Sequence, residues 1–392
     1  METAICIEDK NGLMCTGCMV CMDSCSQNAI TEDFTMDGFR IPRINKEKCV
    51  NCGRCKKVCS INQVKKVFSP INVYRIAAKD NSVRMKCSSG GVFALLSEKM
   101  IERGGIVIGA VFDPKSKDIR HATSDEFALN QIYRSKYVQS NTIGIYHKTE
   151  QILKEGRDVL FCGTPCQIRA LYNYLNGKNY AGNVITVDFM CHGIPSTMEF
   201  RDFIEEREKE EESPIIDVTF REKDIGWRTQ ILKTYHKNGR IWKKTSYYYY
   251  YYYMFLNNYS LRDSCYMCGE YNTHMADITL ADDWNGNNND DLGTSLLFVN
   301  TLNGKNATSE ILDSTEYSDA TRNVMSNIGV YSHAKYDYSK KILWKEALRD
   351  GGYKKAKTSL FYKTSFFPLL NDKLRRRAFT MKQYLKRIVG GG

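Results

Sequence analysis

The sequence predicts an α+β protein in which a small, cysteine-rich, metal-dependent domain precedes a larger mixed α/β domain. Three observations carry this. Nine of the 15 cysteines stand before residue 60. Hydrophobic periodicity is weak at first, then from Val73 becomes a succession of strand and amphipathic-helix patterns. The full 392 residues are more than one hydrophobic core usually organises. The expected division is 1–66 for the metal-binding domain, 67–330 for the larger domain and 331–392 for a basic tail.

Composition narrows the function classes. A hydrophobic content of 42% and a mean hydropathy of −0.45 are ordinary for a soluble globular protein. No run of 18 apolar residues occurs, and Glu2, Glu8 and Asp9 stand where a signal peptide would be basic and then apolar. The expected location is cytoplasmic, where disulfides do not persist, so the cysteines point to metal or redox chemistry. The net charge of +11 is concentrated at one end: from Ala334 onward 16 Lys and Arg face 4 Asp and Glu, a surplus of +12. The rest of the chain is therefore close to neutral, which argues against nucleic acid as a partner.

In the first domain, Phe34 to Ile44 alternates around Asp37-Gly38 and predicts a hairpin, and residues 64–72 read as a linker. Strands are expected at 73–78, 105–112, 158–162, 184–189, 215–221, 229–236, 277–280 and 295–300. Helices are expected at 89–102, 142–155, 166–176, 196–208 and 247–256. The seven tyrosines 247–253, followed by Met254, Phe255 and Leu256, read as one helix or strand with an aromatic face. The tail mixes Lys354, Lys355, Lys357, Arg375–Arg377, Lys386 and Arg387 with Phe361, Tyr362, Phe366, Phe367 and Leu369. That mixture suits peripheral contact with an anionic membrane surface or an acidic partner, or simply a solvated terminal helix pair.

The chemistry begins with two cysteine runs. Cys15, Cys18, Cys21 and Cys25 are spaced x2-x2-x3, and Cys49, Cys52, Cys55 and Cys59 repeat that spacing. This is the bacterial two-cluster ferredoxin pattern. Two-residue gaps let a looping backbone aim three thiolates at one cube while amide N–H groups offset its charge, and the fourth cysteine starts a helix leading to the other cube. Cys15, Cys18, Cys21 and Cys59 are then expected to hold one [4Fe–4S] cluster, and Cys49, Cys52, Cys55 and Cys25 the second. Zinc, which takes four ligands from two separated CxxC pairs, fits two tandem four-cysteine runs poorly. Ser26 and Ser60 stand where ferredoxins carry proline, a change beside the ligands and not in them.

The remaining cysteines are Cys6, Cys87, Cys162, Cys166, Cys191 and the pair Cys265-x2-Cys268. Cys6 reads as an inert thiol. Cys166 and Cys191 follow expected strands, and strand ends meet along one sheet edge, so these two with the CxxC pair suffice for a third cluster; scattered buried thiols are the alternative. Lys86-Cys-Ser-Ser-Gly-Gly91 opens a helix and suits an anion cradle for a nucleotide pyrophosphate, or its serines merely cap the helix. No GxGxxG fingerprint is present to support a Rossmann site. His192 has a pKa suited to relaying a proton, or shapes the Cys-His-Gly turn by a hydrogen bond. Asp188 and Asp282 orient groups around a cofactor, or cap loops.

Taken in order, Lys86-x-Ser-Ser-Gly-Gly91, Gly163-Thr-Pro-Cys-Gln167, Asp188-x2-Cys-His-Gly193, Arg262-x2-Cys-x2-Cys268 and Asp277-Ile-Thr-Leu-Ala-Asp282 resemble the coenzyme F(420) hydrogenase/dehydrogenase beta-subunit family. The resemblance spans roughly residues 1–305, with a two-cluster ferredoxin domain in front. It implies a core domain of that family's type holding FAD and a third [4Fe–4S] cluster. Cys166, Cys191, Cys265 and Cys268 would be the cluster's ligands, and Lys86, Ser88, Ser89, Gly90, Gly91 and Thr164 would be FAD contacts. It also implies exchange between one-electron clusters and a two-electron carrier, either coenzyme F(420) or another organic molecule.

The leading reading is an FAD- and iron–sulfur-dependent oxidoreductase fed by a ferredoxin or another redox protein and acting on a small-molecule donor or acceptor. Its catalytic candidate is His192. A second is an electron-transfer subunit with no substrate of its own. A third is a redox sensor or scaffold, in polysaccharide assembly for instance, with clusters as structural staples.

Overall fold

The computed structural model describes residues 14–62, 69–245, 249–268, 274–284, 290–326 and 337–362. Cys6, most of the 64–72 linker, Tyr247, Tyr248 and the tail beyond residue 362 lie outside the described residues.

Between the two cysteine runs stands a hairpin, β1 (Ile30–Phe34) paired antiparallel with β2 (Arg40–Ile44). Its turn falls at Asp37-Gly38, as the alternation predicts, and Gly38 has φ +79°. Here glycine is required twice over, because a Cβ at Gly38 would sit 2.4 Å from the Met198 side chain. The two runs repeat one backbone. The second residue after the first cysteine is left-handed in each (Gly17, Asn51), and so is the fourth (Met19, Gly53). Short helices follow at Val20–Asp23 and Arg54–Val58. These hold the third cysteine of each run, so the fourth closes a helical turn; Cys59 is the C-terminal cap of its helix. The expectation that the fourth cysteine starts a helix is corrected here.

The larger part is built on a mixed eight-stranded sheet, ordered β13–β3–β12–β11–β7–β6–β4–β5 among the described residues. Its strands are β3 (Asn72–Ala78), β4 (Ile106–Asp113), β5 (Asp118–Thr123), β6 (Val159–Cys162), β7 (Val184–Phe189), β11 (Ile278–Asp282), β12 (Ser295–Val299) and β13 (Thr315–Asp319). Strands β4, β6, β7 and β11 run parallel. Strand β12 is antiparallel to both β11 and β3, so β3 points the same way as the parallel set. Helices cover both faces. Ile106, Ile108, Val159 and Phe161 pack with residues of the Ile145–Lys154 and Pro165–Leu175 helices. Val107, Leu160, Val187 and Ile278 pack with those of the Val92–Glu102 helix. Burial on both faces is why these strands read as continuous apolar runs. A separate antiparallel sheet, β8 (Ile215–Glu222), β9 (Ile231–His236) and β10 (Ile241–Thr245), stands beside it.

Three strands have no clear sequence signal. Strand β10 is mostly exposed and carries Lys243 and Lys244; β13 is an edge strand with four exposed residues; β5 interrupts its apolar positions with Arg120 and His121. Alternation reveals a strand only where one face is apolar. The tyrosine run also departs from expectation. Tyr249 to Tyr252 open the Tyr250–Leu256 helix and are all buried, although consecutive helical residues fan out by about 100° and cannot share a face. Each hydroxyl reaches its own acceptor: Glu206, Asp202, the Tyr137 carbonyl and the Phe220 carbonyl.

The first part of the tail is packed, not solvated. The helix Tyr338–Ala356, bent at Gly351-Gly352, buries Trp344, Ala347 and Leu348 in the aromatic core. From this helix the fully buried Lys341 sends its Nζ to Asp37 Oδ2 at 2.5 Å and lies over the Phe39 ring. Burial works to raise the Asp37 pKa, but the Lys341 ammonium and the Thr35 hydroxyl outweigh it and hold the carboxyl below its usual range. Removing one member of such a pair strands a buried charge. Lys341→Ala should cost about 3–5 kcal/mol of unfolding free energy in chemical denaturation, whereas Lys354→Ala, at an exposed position of the same helix, should leave the transition unchanged.

Candidate functional site

Because β3, β6, β7 and β11 point the same way, the loops after them gather on one sheet edge, the usual place for a ligand site in such sheets. A cavity of about 490 Å³ opens there. Its wall includes Ser88, Ser89 and Gly91 after β3, Thr164 and Cys166 after β6, and Cys191 with His192 after β7. Segments far apart in sequence thus meet around one space.

The cysteines fall into three groups that feel one another's charge. Burial is the main reason the Cys18 thiol is pushed up to about 11, and Cys59 and Cys15 add to it. Cys21 is raised by burial and then by Cys18, Cys15 and Cys59. Cys55 is raised by burial and, among its neighbours, by Cys25, Cys49 and Cys52. Cys166 is raised by burial, then by Cys18, Cys191 and Cys268, while Cys265, pushed up to about 12 by burial, feels Cys268. Amide N–H groups point at sulfur where the spacing requires it: Gly17 to Cys15, Ala29 to Cys25 and Gly193 to Cys191, at 3.3–3.4 Å. Among the described residues no three His, Cys, Asp or Glu side chains converge tightly enough to hold a single metal ion. Four thiolates per group are the donor set of an iron–sulfur cube. The first and third groups are neighbours through Cys18 and Cys166, whereas Cys52 of the second group is exposed.

Arg262 joins the first and third groups. Its buried guanidinium donates to the carbonyls of Cys15 and Arg40 and to Gln139 Oε1, and it lies over Phe39. Three residues on stands Cys265, whose N–H returns to the Arg262 carbonyl. The Cys18 carbonyl is held in parallel by Thr142 and Tyr146 hydroxyls at 2.8 and 2.9 Å. Gly17 must be glycine because a Cβ there would stand 2.0 Å from Gln139 Nε2.

The other residues singled out by sequence are placed as follows. Gly90 donates to Ser295 Oγ and packs on β3, where a Cβ would be 2.6 Å from the Ile76 carbonyl. Gly91, with φ +87°, caps the Val92–Glu102 helix at the cavity wall. The Ser88 hydroxyl accepts from the Ser135 N–H and the Ser89 hydroxyl donates to the Thr294 carbonyl. Lys86 lies apart, beside a smaller cavity of about 270 Å³. Thr164 Oγ1 is 3.1 Å from Cys166 Sγ. His192 lines the cavity with its ring edge-on to Phe255; burial lowers its pKa, against hydrogen bonds to Asn258 and Phe255. Asp188 is fully buried between His274 and Thr279 and does not reach the cavity, whereas Asp282 lines it and pairs with Arg221.

Several cavity residues carry no sequence signal, being single polar side chains on unrelated strands and loops: His121, Lys136, Arg221, Gln230 and Trp284. Burial lowers the Lys136 ammonium to about 7, and its Nζ donates to the Gln131 carbonyl, which makes it a group suited to proton exchange. His121 is lowered to about 4 by burial and stays neutral, bonded through Nε2 to the Cys162 carbonyl.

A paired-cluster, cysteine-ligated domain in front of an α/β domain with its own thiol group defines an iron–sulfur electron-transfer protein. Residues 14–62 match the 4Fe–4S dicluster domain, and residues 156–322 match the C-terminal domain of the coenzyme F(420) hydrogenase/dehydrogenase beta subunit. The chain is thus related to that hydrogenase/dehydrogenase beta-subunit family, carrying its C-terminal domain behind a dicluster domain. The matched stretch contains the motifs around Cys166, Cys191, Cys265 and Asp282 but not Lys86–Gly91. Among solved structures, the chain is similar to one from the F(420)-reducing [NiFe] hydrogenase complex of Methanosarcina barkeri, studied by xenon derivatization. That match has 17% identity and a TM-score of 0.46, covering 74% of this chain and 97% of that one. No curated protein matches the chain. Among the described residues no helix is long and apolar enough to cross a membrane.

The grouping makes a clean prediction. Cys166→Ala should lower the iron content by about four atoms per chain, whereas Cys162→Ala, two positions from the Thr164 cap, should leave iron unchanged in a colorimetric assay.

Proposed function

We propose that the protein is an iron–sulfur flavoprotein oxidoreductase. Three [4Fe–4S] clusters would be held by Cys25/Cys49/Cys52/Cys55, by Cys15/Cys18/Cys21/Cys59 and by Cys166/Cys191/Cys265/Cys268, and would supply one-electron exchange. The cavity lined by Cys166 and Cys191 would hold an FAD. What carries this reading is a single space whose wall contains both Cys166 and Cys191 and the glycine–serine loop at a helix N-terminus. Thiolates and a phosphate cradle in the wall of one cavity are what a flavin exchanging electrons with a cluster requires.

The FAD, when bound, would supply exchange between one-electron and two-electron chemistry. The protein's part follows from its own residues. With the Ser88 hydroxyl accepting from the Ser135 N–H and the Ser89 hydroxyl donating to the Thr294 carbonyl, the first N–H groups of the Val92–Glu102 helix are what would meet phosphate, and Lys86 lies outside that set. Lys136 and His192 are the groups placed to hold or move a proton at the cavity wall, while buried Arg262 keeps the first and third thiol groups in register. The two-electron partner would be a coenzyme F(420)-like or other organic molecule reaching the same cavity.

The entry point for single electrons is the second cluster. Cys52 and Val50 are exposed there, and Lys46, Lys48, Arg54 and Lys57 form an exposed basic collar with Glu47 as the lone acid among residues 46–57. An acidic ferredoxin-like carrier fits this surface by charge.

Anaerobic purification should yield about twelve iron atoms and one FAD per chain. About eight iron atoms without flavin would sink the flavoprotein reading and leave a ferredoxin-type carrier. Reduction by an acidic ferredoxin should slow steeply with added salt, and a Lys46→Glu/Lys48→Glu/Lys57→Glu variant should lose that salt dependence while remaining reducible by dithionite. A rate indifferent to both salt and these charges would remove the collar from the docking surface.

A further inference from the structure

On strand β8, in the wall of the same cavity, stands a group that the motifs do not mention. Arg221 is only 7% exposed, lines the cavity and donates Nη1 to Asp282 Oδ2 at 2.6 Å. Its Nε and Nη2 are buried, and among the described residues the Tyr137 phenol is the one side-chain group placed to share a hydrogen bond with that edge. Those two atoms form one edge of the guanidinium, the side-on fork that matches both oxygens of a carboxylate or two oxygens of a phosphate. A single phenol does not supply the two acceptors this edge can take, and an incompletely satisfied buried guanidinium is costly, so its retention points to a ligand. Gln230, 9% exposed and lining the same cavity, likewise leaves Oε1 unsatisfied.

The surroundings fix the fork in place. Its guanidinium carbon lies 5.7 and 5.6 Å from the ring centroids of Trp227 and Trp284, which stack on each other at 4.5 Å. Trp227 donates Nε1–H to the Ser88 carbonyl, so the fork is tied to the glycine–serine loop through this ring. Trp284 stays 42% exposed and also lines the cavity, offering a flat apolar platform next to the cation.

We infer that Arg221, Gln230 and Trp284 form a substrate-recognition subsite for an organic oxyanion, its carboxylate or phosphate seated on the Arg221 fork and its apolar body against Trp284. This rests on the cavity being a redox site and goes beyond it in naming the charge and shape that the two-electron partner presents. Asp282 is the positioning residue: by taking Nη1 it leaves the Nε/Nη2 edge for the oxyanion.

The test is calorimetric titration of the full anaerobic protein with benzoate, phenyl phosphate and the neutral benzamide, with iron and flavin measured on each sample. Either anion should bind more tightly than benzamide, and the tighter of the two identifies the headgroup. Arg221→Lys keeps a charge for Asp282 but loses the fork, and should weaken anion binding by about tenfold or more while benzamide binding and iron and flavin contents hold. Trp284→Ala, which leaves the Arg221–Asp282 pair intact, should weaken all three aromatic probes. Equal affinity for benzoate and benzamide, or Arg221→Lys protein that sheds flavin with its iron intact, would overturn the subsite; the latter would assign the fork to the cofactor's pyrophosphate. A wild-type protein without flavin would count against the flavoprotein reading alone, since anion binding is read independently of it.

Discussion

Much of this structure depends on one buried cation. The Arg262 guanidinium is withdrawn from water and is tolerable there only because every direction it faces supplies an acceptor or an aromatic face: the Cys15 and Arg40 carbonyls, Gln139 and Phe39. Those partners come from the first cysteine loop, the hairpin and the larger domain. Since Arg262 also begins the segment that carries Cys265 and Cys268, the hydrogen bonds that stabilise the charge index the first thiol group against the third. A lysine could not do this, because it lacks the planar fork that reaches three directions at once.

Other contacts repeat the theme. Asp23 accepts the N–H groups of Gly144, Tyr146 and His147 and so caps the Ile145–Lys154 helix from the dicluster side. Lys341 reaches Asp37 from the other end of the chain. Arg40, 1% exposed, bonds Asp118 and Thr197. The small cysteine-rich region has little apolar core of its own, essentially Ile41 and Cys15 with their neighbours, so polar contacts to the larger domain do much of the holding. For electron transfer the consequence is geometric: a segment that would be loose on its own is seated with Cys18 next to Cys166.

Legibility in the sequence varied with the range of the constraint. The hairpin turn at Asp37-Gly38, the parallel strands and the helices after them were readable because each is set by neighbours a few residues away. The loops after β3, β6 and β7 could be expected on one edge because strands of like direction end together. The Tyr249–Tyr252 burial was not readable, since four consecutive helical residues are buried only when partners close in from several sides. Nor was the docking of the Tyr338–Ala356 helix, whose lysines suggest solvent until Asp37 is found opposite Lys341. Lys86 and Gly90 illustrate the limit of a motif: neighbours in sequence, they end up beside a different cavity and inside a packing contact.

By itself the sequence determines that this is an iron–sulfur protein related to the hydrogenase/dehydrogenase beta subunits, because cysteine spacing is a local constraint that survives any tertiary arrangement. Which thiol group faces which, and which is turned to solvent, is decided by Arg262, Asp23 and Lys341 across more than a hundred residues of chain. The part of the cavity wall that the motifs do not mention is likewise a product of the fold alone. Arg221, Gln230 and Trp284 sit on separate strands and loops with no shared spacing, and only sheet pairing and the Trp227–Trp284 stack bring a cation, an amide and an aromatic face to one point.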